Sequence, residues 1–190
     1  MENLTSLPLR QVPYESFIEV DSVFSPEECS FLIKKIKDNV SISTVDGGFV
    51  NKEIRSSKSF FIDRGGEFEW VFERVWHYMR LVNLEFYNFD LACFREGIQF
   101  SQYDAGDFYN WHKDYGPLNF STRKLSGVIN LSSPEEYSGG ELELFRVLKQ
   151  PQKSQGNLIV FPSFEQHRVN NIVSGTRYSL TTWISGNCFR

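Results

Sequence analysis

Two of the chain's three histidines stand where they can do chemistry. His112-Lys113-Asp114 is a His-x-Asp pattern inside a stretch that reads as a strand. Residues two apart on a strand point to the same face, so the His112 imidazole and the Asp114 carboxylate can reach one point. Such a pair alone is a weak motif, and an exposed strand pair that binds nothing is the plain alternative. His167 supplies the second half. It follows Gly156-Asn157-Leu158-Ile159-Val160-Phe161-Pro162-Ser163, a turn, an apolar strand and a second turn. Two imidazoles and one carboxylate on rigid strands leave three positions of a metal open, the ligand set expected of non-haem Fe(II) oxygenases. The same donors can hold Zn²⁺. Neither an HExxH nor a GxSxG pattern occurs, and the strand-borne His-x-Asp with a following arginine argues against a zinc hydrolase. His77, between Trp76 and Tyr78 in a helical pattern, has no partner at a useful spacing and reads as structural.

The arginine is Arg177, ten residues after His167, at the head of Arg177-Tyr178-Ser179-Leu180-Thr181-Thr182-Trp183. Strand alternation puts Arg177, Ser179, Thr181 and Trp183 on one face. If 166–171 and 176–184 pair through a Ser174-Gly175 turn, His167 and Arg177 share a pocket wall. Tyr109, Trp111, Tyr115 and Trp183 either line the mouth of such a pocket or pack within the sheets. Gly139-Gly140 reads as a tight turn rather than a phosphate cradle, because no helix follows it.

The elements that must position these residues fall into two textures. Ser25-Pro26-Glu27-Glu28 is a helix start, with a capping serine, proline at the first helical position and acids in the first turn. Phe31, Leu32 and Ile36 continue it, predicting a helix over about 25–38. A second helix is predicted over 67–82, where Trp70, Val71, Val75, Tyr78, Met79 and Val82 make a broad apolar stripe. The segment from Ser43 to Arg55 is either a connector or a lid over the site, with Gly47 and Gly48 as flexible points. From Asn88 onward, short runs rich in Phe, Tyr, Val, Ile and Thr alternate with turn residues. Strands are predicted at 89–94, 98–104, 109–114, 124–131, 141–147, 158–161, 166–171 and 176–184. Closely spaced strands without intervening helices predict a mostly β, double-sheet jelly roll whose outer face the two helices cover. The 190 residues read as one domain, with 1–87 as helical support and 88–190 as the jelly-roll core.

Composition narrows the function classes. A net charge of -4, from 20 basic against 24 acidic residues, argues against a nucleic-acid partner held through phosphates. No apolar run approaches the ~20 residues of a membrane span, and Met1–Arg10 lacks a charged-then-apolar leader pattern. Cys29, Cys93 and Cys188 are too few and too scattered for a disulfide framework, which predicts reduced thiols and a cytoplasmic location.

From about Asn83 onward the sequence resembles the Fe(II)/2-oxoglutarate-dependent dioxygenases, in the prolyl 4-hydroxylase-like branch that includes the PKHD-type hydroxylases. The matching residues are Tyr103 to Asp114, the Arg123–Leu131 strand, Gly139-Gly140-Glu141-Leu142, Gly156 to Pro162, His167 and Arg177. Phe24-Ser25-Pro26-Glu27-Glu28-Cys29 resembles the opening helix of the same branch. The resemblance implies a double-stranded β-helix in which His112, Asp114 and His167 bind Fe(II). It implies that Arg177 pairs with the distal carboxylate of 2-oxoglutarate, a task for which a planar fork suits better than an ammonium. Tyr103 would donate its hydroxyl to the same carboxylate and Ser179 would assist. The implied cofactor set is Fe(II), 2-oxoglutarate as cosubstrate and O₂, with ascorbate as an accessory. The implied reaction is hydroxylation of an aliphatic C–H bond with conversion of 2-oxoglutarate to succinate and carbon dioxide. The branch favours a peptide or protein substrate, such as a prolyl residue. A free amino acid or other small molecule, or a metal-binding module without catalysis, stands as the alternative, and the oligomeric state is left open.

Overall fold

The computed structural model describes residues 14–44 and 49–188; Met1–Arg10, read above for a leader pattern, and Gly47 and Gly48 lie outside the described residues. Helix α1 (Pro26–Ile36) starts as its residues dictate. Ser25 Oγ accepts the Glu28 N–H at 3.2 Å, and the Glu28 carboxylate accepts the Ser25 N–H at 2.9 Å, a reciprocal capping box. Helix α2 (Glu69–Val82) buries Val71, Phe72, Val75, Met79 and Val82.

The strands, in chain order, are β1 (Ile18–Val20), β2 (Ser41–Ile42), β3 (Arg55–Ser56), β4 (Lys58–Ile62), β5 (Cys93–Phe94), β6 (Ile98–Tyr103) and β7 (Phe108–His112). They continue as β8 (Arg123–Asn130), β9 (Tyr137–Gly139), β10 (Leu142–Leu144), β11 (Leu158–Pro162), β12 (His167–Val169), β13 (Ile172–Gly175) and β14 (Arg177–Ser185). The large sheet has eight strands in the order β1-β11-β8-β14-β6-β4-β2, with β5 on the end of β14. A four-stranded sheet, β10-β12-β7-β3, faces it, and β9 and β13 form a separate ribbon. Every pairing is antiparallel. This is the expected jelly roll.

Alternation along β14 sorts its side chains as the sequence requires. Leu180 and Ile184 point outward with Ile98, Phe100, Leu125, Ile129, Leu158 and Val160, and they form the main core with the buried stripes of α1 and α2. The helices therefore do cover the outer face of one sheet. The other parity points into the space between the sheets, in cross-strand rows. One row is Ser59, Ser101, Ser179 and Asn130; the next is Phe61, Gln99, Thr181 and Val128. Opposite them on the smaller sheet lies the row Arg55, Tyr109, Val169 and Leu142, and beside it the pair His112 and His167.

Two features differ from the sequence reading. The strand holding His167 does not pair with the strand holding Arg177. β12 lies between β10 and β7, whereas β14 lies between β8 and β6, in the opposite sheet. Ser174 and Gly175 are not a hairpin turn but the end of β13, where Gly175 adopts φ +76° and pairs with Tyr137 of β9. His167 and Arg177 thus reach the same space from facing walls. The N-terminal region also contributes β1 to β4, which were not read as strands. These are runs of two to five residues, too short for alternation to register. Among the described residues no helix is long and apolar enough to cross a membrane.

Candidate metal centre

β7 ends at His112 and β12 begins at His167, and the two residues are direct cross-strand partners with ring centroids 4.2 Å apart. Asp114 lies two residues past the strand end. Its N–H and that of Tyr115 both donate to the Ser163 carbonyl, at 3.0 and 2.8 Å, which pins the turn. The buried Ser126 hydroxyl donates to Asp114 Oδ2 at 2.6 Å. His112 Nε2 is 3.9 Å from Asp114 Oδ1, and His167 Nε2 is 3.6 Å from Asp114 Oδ2. One ligand atom from each of the three residues falls within 4.8 Å of the others.

The proton positions follow from the other ring nitrogens. His112 Nδ1 is 2.7 Å from the Asn110 carbonyl, and His167 Nδ1 is 3.0 Å from the Glu165 carbonyl. A carbonyl only accepts, so each Nδ1 carries a proton, and in the neutral imidazole Nε2 is the nitrogen that presents a lone pair toward Asp114. Burial, then the neighbouring His167, pushes the His112 pKa down to about 3. Burial alone would raise the Asp114 carboxyl; the two imidazoles, the Ser126 hydroxyl and Arg123 outweigh it and hold it below the ordinary carboxylate range. A neutral imidazole and an ionised carboxylate at neutral pH are the protonation states a metal needs. Two nitrogens and one oxygen, each oriented by a second hydrogen bond, fit a divalent transition metal with open positions.

These three residues line a cavity of about 460 Å³ between the sheets, together with Tyr103, Arg177 and Ser179. All six predicted site residues therefore share one space. Arg177 is 3% exposed, donates from Nη1 to Ser179 Oγ at 3.2 Å, and sits with its guanidinium carbon 5.7 Å from the Tyr103 ring centroid. Among the described residues it makes no salt bridge. Gly139 and Gly140, at φ +76° and +66°, let the β9 end pass beside Arg177; a Cβ on Gly140 would sit 3.2 Å from Arg177 Cδ. Tyr109, Tyr115 and Trp183 line the cavity, but Trp111 does not. A bulge places three steps of β7 against two of β12, His112 opposite His167 and Tyr109 opposite Val169. Alternation from His112 already turns Trp111 outward, against Phe145 and Arg168, and the extra residue reverses parity beyond it, which brings Tyr109 back to the cavity side.

Sequence reasoning missed Arg55, Gln99, Glu96 and Arg123, all on the cavity wall. Arg123 is paired to Glu96, with Nε 2.8 Å from Oε1, and its guanidinium carbon lies 3.9 Å from the Trp183 ring centroid and 4.5 Å from that of Phe120. Trp183 Nε1 is buried with no hydrogen-bond partner among the described residues. His77 lies on the exposed side of α2, edge-on to Tyr78, and is no part of this cavity.

Residues 98–185, which run from β6 to the end of β14, match the 2OG-Fe(II) oxygenase superfamily. A PKHD-type hydroxylase of Prochlorococcus marinus is 36% identical over 90 residues, 46% of this chain and 41% of that protein. The chain thus spans less than half the length of the curated relatives it matches. Solved structures extend the likeness in fold. A Pseudomonas putida prolyl-4-hydroxylase superposes with a TM-score of 0.73 at 20% identity, covering 90% of this chain and 93% of that one. A Trichoplax adhaerens prolyl hydroxylase, solved in complex with a hypoxia inducible factor peptide fragment, gives 0.75 at 16% identity over 90% and 84%. The sequence match ends where β14 ends and takes in His112, Asp114, His167 and Arg177, so the segment from β6 to β14 is similar in sequence to the 2OG-Fe(II) oxygenase superfamily, and the chain is similar in fold to the prolyl hydroxylases.

Proposed function

We propose that the protein is an Fe(II)- and 2-oxoglutarate-dependent hydroxylase of an aliphatic C–H bond. The observation that carries this reading is one cavity with two unlike ends. At one end two Nε2 lone pairs and a carboxylate converge; from the other wall comes a buried guanidinium without a carboxylate partner among the described residues. A keto acid with a second carboxylate is the ligand that satisfies both.

His112, Asp114 and His167 would hold the iron, and Asp114 supplies the single negative charge of the set. Arg177 would receive the distal carboxylate of 2-oxoglutarate as a fork, kept in place by Ser179 and flanked by Tyr103. When bound, the iron with O₂ supplies the oxidative step, in which 2-oxoglutarate becomes succinate and carbon dioxide and a C–H bond of the substrate becomes C–OH. The chain's own contribution is geometry and exclusion of water. Ser126 fixes the Asp114 carboxylate. Phe120, Arg123 and Trp183 form a stacked wall beside it. The prolyl hydroxylases among the structural neighbours support a peptide or protein substrate; a small molecule is the second reading.

The test is anaerobic calorimetric titration of the iron-loaded protein with 2-oxoglutarate, followed by succinate measurement on admitting air. We expect 2-oxoglutarate binding and slow succinate formation even without substrate, both lost in His112→Ala. An iron-loaded protein that neither binds 2-oxoglutarate nor makes succinate refutes the enzyme reading and leaves a metal-binding module.

A further inference from the structure

Among the described residues, two guanidiniums, not one, are buried on the cavity wall without a carboxylate. Arg177 is accounted for by the distal end of the keto acid. Arg55, on the edge strand β3 of the facing sheet, is 6% exposed. Its Nε donates to Ser57 Oγ at 2.7 Å and its Nη2 reaches Ser101 Oγ at 3.4 Å; the rest of the fork has no acceptor among the described residues. The neighbours are hydroxyls and an amide. Ser57 donates onward to Ser43, which donates to Ser59, and Gln99 donates to Ser101. None of these neutralises a charge. The acidic side chains on the cavity wall are Glu96 and Asp114, and both are committed, Glu96 to Arg123 and Asp114 to the two imidazoles and Ser126.

A buried cation without a counter-charge is costly unless a ligand completes it. The position of this one is specific. The Arg55 guanidinium carbon lies 4.7 Å from the Tyr109 ring centroid, and the Tyr109 ring stacks on the His112 imidazole at 3.6 Å and 13°. The charge is therefore one aromatic ring away from a metal ligand. Because Nε is engaged by Ser57, the Nη1–Nη2 end of the fork is what faces a ligand, the end-on geometry for a carboxylate. Both charges of 2-oxoglutarate are already placed, one at the metal and one at Arg177. The cavity, at about 460 Å³, lies in the size range that holds a drug-sized ligand and has room beside a five-carbon keto acid.

We infer that Arg55 receives a carboxylate of the substrate, so that the compound hydroxylated is a carboxylic acid. This rests on the hydroxylase reading for the place of the reaction. The carboxylate can belong to a small free acid such as an amino acid, or to an acidic side chain of a peptide entering the cavity.

The experiment uses the full chain loaded with Zn²⁺, which is redox-inert, and saturated with 2-oxoglutarate. It is titrated calorimetrically with matched pairs: free L-amino acids against their C-amides, and the blocked tripeptides acetyl-Ala-Glu-Ala-amide and acetyl-Ala-Asp-Ala-amide against their Gln and Asn counterparts. Acetyl-Ala-Pro-Ala-amide is the neutral probe. We expect at least one acid to bind about tenfold or more tightly than its amide. Binding of free acids alone identifies a small-molecule source, and binding of acidic tripeptides a peptide source; either supports the inference. Arg55→Gln should abolish the preference for acid over amide, and Arg55→Lys, which keeps the charge and guards against a folding defect, should retain part of it. The inference is overturned if no acid exceeds its amide, if the neutral tripeptide binds best, or if Arg55→Gln keeps the preference. Succinate formation by the iron-loaded protein reads the hydroxylase proposal separately. A protein that makes succinate but ignores carboxylates loses only the role of Arg55. One that binds acids through Arg55 and never makes succinate keeps the anion site and loses the hydroxylation.

Discussion

Ser126→Ala tests the centre without touching a ligand. The Ser126 hydroxyl is fully buried and donates to Asp114 Oδ2 at 2.6 Å, while its oxygen lies 3.1 Å from Ser163 Oγ. Asp114 Oδ1 faces His112 and Oδ2 faces His167, so rotation of the carboxylate moves both distances at once. A carboxylate torsion is broad and has no steep well of its own to hold it; the serine provides the restraint. A hydrogen bond to a charged group contributes about 1.5–3 kcal/mol. At 1.4 kcal/mol per decade, that is roughly a tenfold to hundredfold loss of metal affinity, the range typical of partners that orient metal ligands. The sign with pH follows from the same bond. Ser126 is one of the groups that lower the Asp114 pKa; without it the carboxyl titrates higher, and protons displace the metal at a higher pH than in the parent protein. The assay is competition for Co²⁺ or Zn²⁺ against a chelator of known affinity, repeated from pH 5 to pH 8, with Ser30→Ala on the exposed face of α1 as control. A Ser126→Ala protein that binds metal within about twofold of the parent, with an unmoved acid limb, refutes the claim that this hydroxyl sets the carboxylate.

Three further outcomes are expected. Gly140→Ala forces a side chain onto φ +66° and places its Cβ 2.3 Å from Ile172 Cδ1; it should cost about 1–3 kcal/mol, lower Tm and weaken 2-oxoglutarate binding through displacement of Arg177. Ser25→Ala removes the side-chain half of the capping box and leaves the Glu28 carboxylate on the backbone N–H; a loss of about 1 kcal/mol should appear as a Tm decrease of about 2–4 °C with metal affinity retained. In the metal-free protein, His112 has a folded-state pKa depressed to about 3, below its unfolded value of about 6.5. The unfolded chain then binds more protons as pH falls, so this contribution to stability is whole above about pH 6.5 and is lost progressively toward pH 3. Urea midpoints measured across that window should decline; a flat profile contradicts the assignment.

What the sequence made legible depended on the scale at which it encodes information. His112, Asp114 and His167 stood out as a candidate set because their chemistry is rare, although β12 has only three residues and Asp114 lies past the end of β7. The inward set Arg177, Ser179, Thr181 and Trp183 was legible from alternation, since β14 runs nine residues and keeps one register with β8 as far as Ile184. The inward turn of Tyr109 was not, because alternation from His112 would leave it outside with Trp111, and nothing in the sequence around Asn110 marks the bulged residue that reverses parity. Nor was the separation of His167 and Arg177 onto facing sheets. The residues between them form β13, which pairs with the distant β9, and such long-range pairing leaves no local signal. Arg55 was hidden for another reason. It sits in a two-residue strand whose inward face is defined only by its neighbour β7.

The charge of the cavity unites these residues. Arg55, Arg123 and Arg177 are each less than a tenth exposed and face the cavity, against the carboxylates of Glu96 and Asp114, which leaves one excess positive charge. Lys113, also on the lining, is exposed and solvated. Fe(II) would add two positive charges and the 2-oxoglutarate dianion would remove two, so the loaded cavity returns to the same single excess. The excess would reside on Arg55, since Arg123 has Glu96 and Arg177 would hold the keto acid. In a water-poor interior, one unneutralised charge dominates which ligand is accepted: it favours an anion and penalises a neutral group that must desolvate the fork without answering it. A neutral prolyl peptide leaves that charge standing; a substrate bearing one carboxylate cancels it. The charge state therefore argues for a monoanion beside the keto acid, and it does so independently of the hydrogen-bond vacancies on the same arginine.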